Sequence, residues 1–142
     1  MKIFLDANIL VSVMNKEYPV FTYAARLLSL ADNRQYQLYS SSSCFAIAFY
    51  FSSKRSGLTV AKNKIALLAQ KIQLADNKSE DLLAVVNNKK IHDFEDGLQF
   101  YAAKNVGCNC IVTENIEDYY FSTIEVLSAE QFLIKHVLPK LK

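Results

Sequence analysis

The chain has 142 residues, 51% of them hydrophobic and 21% charged, with a formal net charge of +2. That length suits one domain covering residues 1–142 and leaves no room for a second full core. The near balance of 16 Lys+Arg against 14 Asp+Glu excludes a broadly basic surface, so any nucleic-acid contact has to come from a local patch. Only three Gly and two Pro are present, which disfavours long irregular loops. No run of about 18 apolar residues occurs, so no membrane span is expected. The strand-like run directly after Lys2 gives the expectation of no signal sequence. Cys44, Cys108 and Cys110 are an odd set, which fits a reducing, cytoplasmic setting. Cys108 and Cys110 lack a second Cys/His pair at zinc spacing and read as small buried residues.

Lys2 to Leu5 is a short apolar run followed by Asp6, Ala7 and Asn8, the pattern of a buried strand with polar residues past its end. Ile9 to Met14 begins a helix, and Val20 to Ala31 repeats apolar residues at helical spacing. Tyr36 to Tyr39 reads as a second strand. Ser40 to Ser43 can cap a helix over Cys44 to Lys54 that is apolar nearly all round, as a buried helix is; its aromatics leave a strand as the alternative. Gly57 breaks it, and Val60 to Lys71 is helical again. Ile72 to Ala75 is a third strand.

A helix starts at Ser79-Glu80-Asp81 and ends near Asn87 to Lys90. Asp93 to Asn105 is a further helix, with Phe94, Leu98, Tyr101 and Ala102 expected on its packed face and Gly107 at its C-terminal cap. Cys110 to Thr113 is a buried strand, followed by a polar turn, Glu114 to Asp118. Thr123 to Leu127 is the last strand. Ser128 and Gln131 then stand at capping-box spacing, with Leu127 and Phe132 at hydrophobic-staple positions. Strands alternating with helices along the whole chain predict an α/β fold with a mainly parallel sheet.

In open parallel sheets, ligands bind beyond the carboxyl ends of strands. Asp6 and Asn8 follow the first strand, Asn115 and Asp118 follow the Cys110–Thr113 strand, and Asp96 lies in the first turn of the helix leading into it. Brought together, these groups make an all-oxygen site for Mg²⁺ or Mn²⁺, a cation that activates water and neutralises phosphate charge. Each also has an ordinary reading. Asp6 can be a helix cap, Asp96 a helix N3 residue capped by Asp93, and Asn115 and Asp118 turn residues. Lys54, Arg55, Lys62, Lys64 and Lys71 either line a phosphate-contacting groove or form solvated helix faces. No nucleotide-cradling glycine motif is present, and His92 and His136 are too far apart in sequence to suggest a triad or zinc site. The apolar segments Cys44–Phe51 and Ala66–Ala69 either belong to the core or bury against a partner.

The stretch Ile3-Phe4-Leu5-Asp6-Ala7-Asn8-Ile9-Leu10 resembles the opening motif of PIN domains, an apolar strand followed by Asp-Thr-Asn. Asp93-Phe94-Glu95-Asp96-Gly97-Leu98-Gln99 resembles the Asp-Phe-Glu-Asp-Ala-Leu-Gln segment of one bacterial PIN subgroup. Ile111 to Tyr119 resembles that family's Val-Thr-Arg-Asn-x-x-Asp-Phe segment, and Val126 to Leu133 its usual ending. The four matches occur in order and span nearly the whole chain.

The resemblance implies a three-layer α/β/α domain and Mg²⁺- or Mn²⁺-dependent cleavage of RNA. It also implies a VapC-like toxin of a toxin–antitoxin pair, with an antitoxin partner and a homodimeric state. Carried over, Asp6, Asp96 and Asp118 would be catalytic and, with Asn115, the metal-binding set. Asn8 would orient the site, and Asn8 and Thr113, with the basic residues Lys54 and Arg55 read from the helix charges, are expected to contact substrate. Three positions depart from the pattern: Phe45 to Tyr50 holds no acid where many PIN nucleases carry a helix Glu, Ala7 replaces Thr, and Glu114 replaces a basic residue. The departures leave open a one-metal nuclease, a site completed by Glu95 or Glu114, or a catalytically weak PIN module that binds RNA or a protein. An unrelated α/β regulatory domain is the remaining alternative.

Overall fold

The computed structural model describes residues 1–141; Lys142, one of the C-terminal lysines, lies outside the described residues. In chain order the elements are β1 (Lys2–Leu5), α1 (Ala7–Met14), α2 (Val20–Ser29), β2 (Gln37–Ser40), α3 (Ser42–Ser56), α4 (Leu58–Lys71), β3 (Ile72–Leu74), α5 (Ser79–Asn87), α6 (Phe94–Asn105), β4 (Cys110–Val112), β5 (Glu125–Leu127) and α7 (Ala129–Phe132). Short 3₁₀ turns cover Leu30–Asp32 and Ile116–Tyr119, and a π-helical turn, Leu133–Val137, continues α7.

The five strands are ordered β3-β2-β1-β4-β5, and every pairing is parallel. The fold is a three-layer α/β/α sandwich. The chain runs outward from β1 through β2 to β3, then crosses to β4 on the other side of β1. Right-handed crossovers in opposite directions put their helices on opposite faces. Accordingly α1 packs on α2 and α3, α3 on α4 and α2 on α7, whereas α5 and α6 pack on each other. The strand order therefore reverses between β1 and β4, and such a switch point opens a crevice beyond the carboxyl ends of the two strands.

The central strands read as continuous apolar runs because both faces are covered: Ile3, Phe4, Leu5, Cys110, Ile111 and Val112 are all buried. Phe132, Leu27, Leu38 and Tyr119 complete the same core. All three cysteines are buried free thiols, and burial pushes each up to about 12, so none is a reactive thiolate.

Local chemistry sets the element ends. Ser41 caps α3 by accepting from the Cys44 amide, while Ser40 donates to the Leu5 carbonyl at 2.6 Å and ties β2 to the end of β1. Gly57, at φ +86°, turns the chain from α3 directly into α4, a conformation that a Cβ would strain. Gly107, at φ +76°, ends α6 with its amide on the Lys104 carbonyl. Ser128 and Gln131 form the reciprocal capping box of α7.

Two expectations are corrected. α3 is not wrapped in core: only Cys44, Ala48 and Ser52 are buried, and Tyr50 and Phe51 stand half-exposed. Its main packing partners are α1 and α4. The packed face of α6 is Gly97, Gln99, Phe100, Ala102 and Ala103, with Phe94 exposed. Gly97 sets that rotation, since a Cβ there would lie 2.6 Å from Val85 Cγ1 and 2.8 Å from Ile91 Cγ2. Only a bare α-carbon lets α6 approach α5 so closely.

Candidate active site

β1 and β4 lie side by side in register, Leu5 opposite Val112, so the residues that follow them leave the sheet together. Asp6 is still pinned to the sheet edge by its amide on the Val112 carbonyl, 3.0 Å away. It is the N-cap of α1, as its ordinary reading has it, but its carboxylate takes only the neighbouring Ala7 amide at 2.8 Å. A capping side chain ordinarily folds back over the N2 or N3 amide. The second oxygen accepts from Thr113 Oγ1 at 2.9 Å, which fixes the carboxylate plane.

Thr113 is fully buried, and its hydroxyl is fully used. It donates to Asp6 and accepts from Asn8 Nδ2 at 3.0 Å and from the Asn115 amide at 3.1 Å. One donor and two lone pairs are the whole capacity of a hydroxyl. Thr113 therefore holds Asp6 and Asn8 in place, and its hydroxyl has no capacity left for another partner. Asn8 closes the same network by accepting from the Glu114 amide at 3.1 Å.

α6 precedes β4 and runs antiparallel to it, so its N-terminus arrives at the same edge. Asp93 caps this helix, its carboxylate accepting from the Asp96 amide at 3.0 Å. The spacing is that of a capping box, but the reciprocal bond is missing. Among the described residues nothing donates to the Asp96 carboxylate, which is half-exposed and faces a cleft of about 550 Å³ shared with Asp6. Asn8, Glu17, Glu95, Glu114 and Asn115 line that cleft too, with an apolar wall of Val11, Val20, Ile47 and Phe51.

The electrostatics follow from that lining: five acids and no Lys or Arg. Asp96 is pushed up to about 7, first by partial burial and then by the charges of Asp93, Asp6, Asp118 and Glu95. Burial also raises Asp6, against the opposing bonds from Ala7 and Thr113 and the nearby Tyr119 and Cys44 groups. Among carboxylates, acids held this far up mark charge left without a cationic partner. The N-termini of α1 and α6 lend partial positive charge to the edge, too little to neutralise two carboxylates.

The remaining expected residues lie around this cleft. Asp118 is exposed on the 3₁₀ turn after β4; it does not line the cleft, though its charge reaches Asp96. Lys54 and Arg55 sit in the last turn of α3, about one turn beyond Phe51, outside the lining. Lys54 lies over the Tyr50 ring at 4.7 Å. Lys64 and Lys71 are engaged elsewhere, on the Met14 carbonyl and on Asp32, so they do not continue a phosphate groove with Lys54. Glu114 directs Oε2 to the Ala129 amide that opens α7, at 3.1 Å, which leaves Glu95 the freer of the two extra acids.

Three contributors escaped the sequence reading. Tyr119 is buried close to Asp6 and Asp96, and Cys44 points its Sγ to Asp6 at 3.9 Å. Gln99, buried, joins Ser41 and Ser43 at 2.5 and 2.7 Å and so locks α6 to the start of α3. A polar residue, Gln99, in the otherwise apolar run Leu98 to Ala103 was the available signal for the last.

Among the described residues no three His, Cys, Asp or Glu side chains converge as a closed metal cage. The donor set is oxygen only, two carboxylates on an open cleft. It does not fit a structural zinc site and does fit Mg²⁺ or Mn²⁺, which bind through one or two carboxylates and keep several waters.

A family model described as PIN domain matches residues 2–117. The chain belongs to the PIN domain family. The matched span includes Asp6, Asn8, Asp96 and Asn115 and stops one residue short of Asp118. Ribonuclease VapC1 of Aquifex aeolicus (strain VF5) is 27% identical over 135 residues, covering 92% of each chain. Among solved structures, VapBC2 from Rickettsia felis, bound to a DNA fragment from its promoter, aligns over 90% of this PIN chain and 98% of its own with a TM-score of 0.65 at 22% identity. VapBC-1 from nontypeable Haemophilus influenzae aligns over 92% and 99% with a TM-score of 0.67 at 16% identity. At these identities the structures speak for the PIN fold alone.

Proposed function

We propose that this PIN protein is an endoribonuclease that hydrolyses RNA phosphodiester bonds with a divalent cation, Mg²⁺ or Mn²⁺, and serves as the toxin of a toxin–antitoxin pair. One observation carries the reading: Asp6 and Asp96, from different strands and helices, share a cleft in which no basic residue offsets them. The 27% identity to a ribonuclease over nearly the full length supports the same activity.

In this reading Asp6 and Asp96 hold the cation, with Asn115 and Asp118 at the rim. Bound there, a divalent cation supplies water activation and neutralises the phosphate in transfer. The protein's own part is orientation. Thr113 and the Ala7 amide fix the Asp6 plane, and Asp93 fixes the turn that presents Asp96. Phe51 and Ile47 supply an apolar wall against which a base can rest, and Lys54 and Arg55 stand beyond it to meet the backbone.

An antitoxin and a second copy are further parts of the proposal. Leu82, Leu83 and Val86 form an exposed apolar face on α5, and Leu67 is exposed on α4. Within the apolar segments named above, Cys44, Ala48 and Leu68 belong to the core, while Tyr50, Phe51 and Leu67 are exposed. No helix among the described residues is long and apolar enough to cross a membrane, which is compatible with a cytoplasmic toxin.

The second reading, a PIN module that binds without cutting, is favoured by α3, which brings Cys44 and Ile47 to the site and no acid. Incubating single-stranded RNAs with wild type and Asp6→Asn in Mg²⁺ and in EDTA separates the two. Cleavage that needs both Asp6 and the cation supports the enzyme; binding without metal-dependent cleavage supports the module.

A further inference from the structure

Beside Asp6 the core holds a buried polar group with no hydrogen-bond partner. Tyr119 is 2% exposed, yet its hydroxyl makes no hydrogen bond. Buried polar atoms are nearly always paired, and an unpaired one asks for an explanation such as a missing water or ion. The surroundings of this one are specific. The Tyr119 hydroxyl lies beside the Asp6 carboxylate without a hydrogen bond to it. A phenol is an O–H donor at neutral pH.

The donors already on Asp6 show what is lacking. Ala7 holds one oxygen and Thr113 the other, and the Cys44 thiol at 3.9 Å is a weak contact. No further strong donor reaches the carboxylate, and Tyr119 lies unpaired beside it. The core cannot relax to hide this hydroxyl, because the Tyr119 ring packs on Phe121, with centroids 6.0 Å apart, and Phe121 on Phe100.

We propose that Tyr119 is a positioning residue of the acidic cleft, whose hydroxyl closes on the Asp6 carboxylate when a divalent cation occupies the site and holds it there as a ligand. The inference rests on the cation reading of the site. A donor behind a metal-binding carboxylate orients it and keeps it ionised, and loss of such a partner typically weakens metal affinity by about 10–100-fold. With the site empty the same hydroxyl only wastes a donor, so removing it leaves the fold no weaker.

The test is Mn²⁺ binding by titration calorimetry on wild type, Tyr119→Phe and Tyr120→Phe, with urea midpoints in EDTA as the check on folding. Tyr120 is the exposed neighbour and serves as control. The proposal expects Tyr119→Phe to bind Mn²⁺ at least about tenfold more weakly while its metal-free midpoint stays the same or rises. Tyr120→Phe should bind as wild type does. Equal Mn²⁺ affinity in wild type and Tyr119→Phe overturns the role of Tyr119 and leaves the metal site standing. A lowered metal-free midpoint in Tyr119→Phe also overturns it, since the hydroxyl would then serve the empty fold. Failure of wild type itself to bind Mn²⁺ removes both the inference and the reading beneath it.

Discussion

Replacing Asp96 with Asn should stabilise the metal-free protein while destroying its activity. The Asp96 carboxyl rises from 3.8 to about 7 on folding, pushed by partial burial and by four neighbouring acids. Fully realised, that rise would cost the folded state about 4 kcal/mol, at about 1.36 kcal/mol per pH unit. The side chain is half-exposed and water screens it, so the realised cost is about 1–2 kcal/mol. The sign follows from linkage: the folded state holds this proton more tightly than the unfolded state. The penalty is thus absent below the unfolded value of 3.8, grows as pH rises and is complete above about 7. Asn carries no charge at any pH and avoids it. Urea denaturation in EDTA should show Asp96→Asn more stable than wild type by about 1–2 kcal/mol at pH 8, shrinking to under about 0.5 kcal/mol near pH 4. Mg²⁺ should raise the wild-type midpoint and leave the variant unmoved. A variant less stable than wild type at pH 8 would refute the reasoning, because Asp96 would then be a structural acid satisfied within the fold.

Three further outcomes follow from the same geometry. Thr113→Val removes the hydroxyl shared by Asp6, Asn8 and the Asn115 amide, and should destabilise by about 1–3 kcal/mol in chemical denaturation and lower RNA cleavage even at saturating Mg²⁺. Gly97→Ala forces a methyl against Val85 and Ile91, both stiff β-branched side chains, and should destabilise by about 1–2 kcal/mol despite alanine's better helix propensity. Mn²⁺ affinity should rise with pH up to about 7 and level off above it, since the raised Asp96 carboxyl must shed its proton to bind; calorimetry at pH 6, 7 and 8 reads this directly.

Much of the site could be read from the sequence because its acids obey simple rules. An acid directly after a buried apolar run, as Asp6 follows Leu5, sits at the carboxyl end of a strand, and Asp96 in a helix leading into β4 has to start from that edge. The alternation of strands and helices likewise predicted the parallel sheet. What could not be read depended on rotation and on shared hydrogen bonds. The packed face of α6 turns on the close approach at Gly97, which no periodicity reveals. The apolar stretch of α3 looked like core because composition does not tell which side lacks a neighbour. Thr113 looked available to substrate, since one hydroxyl serving three partners shows only when Asp6, Asn8 and Asn115 are in place. The orphaned Tyr119 hydroxyl is invisible for the same reason: tyrosine after aspartate reads as an aromatic core residue with a polar tip.

The account turns on whether the two carboxylates that crowd the end of β1 and the start of α6 share a divalent cation. Crystals soaked in Mn²⁺ and measured near the manganese edge test this most directly. An anomalous peak between the Asp6 and Asp96 side chains, lost in Asp6→Asn, is the predicted result. Well-ordered carboxylates at neutral pH with no peak between them would contradict it.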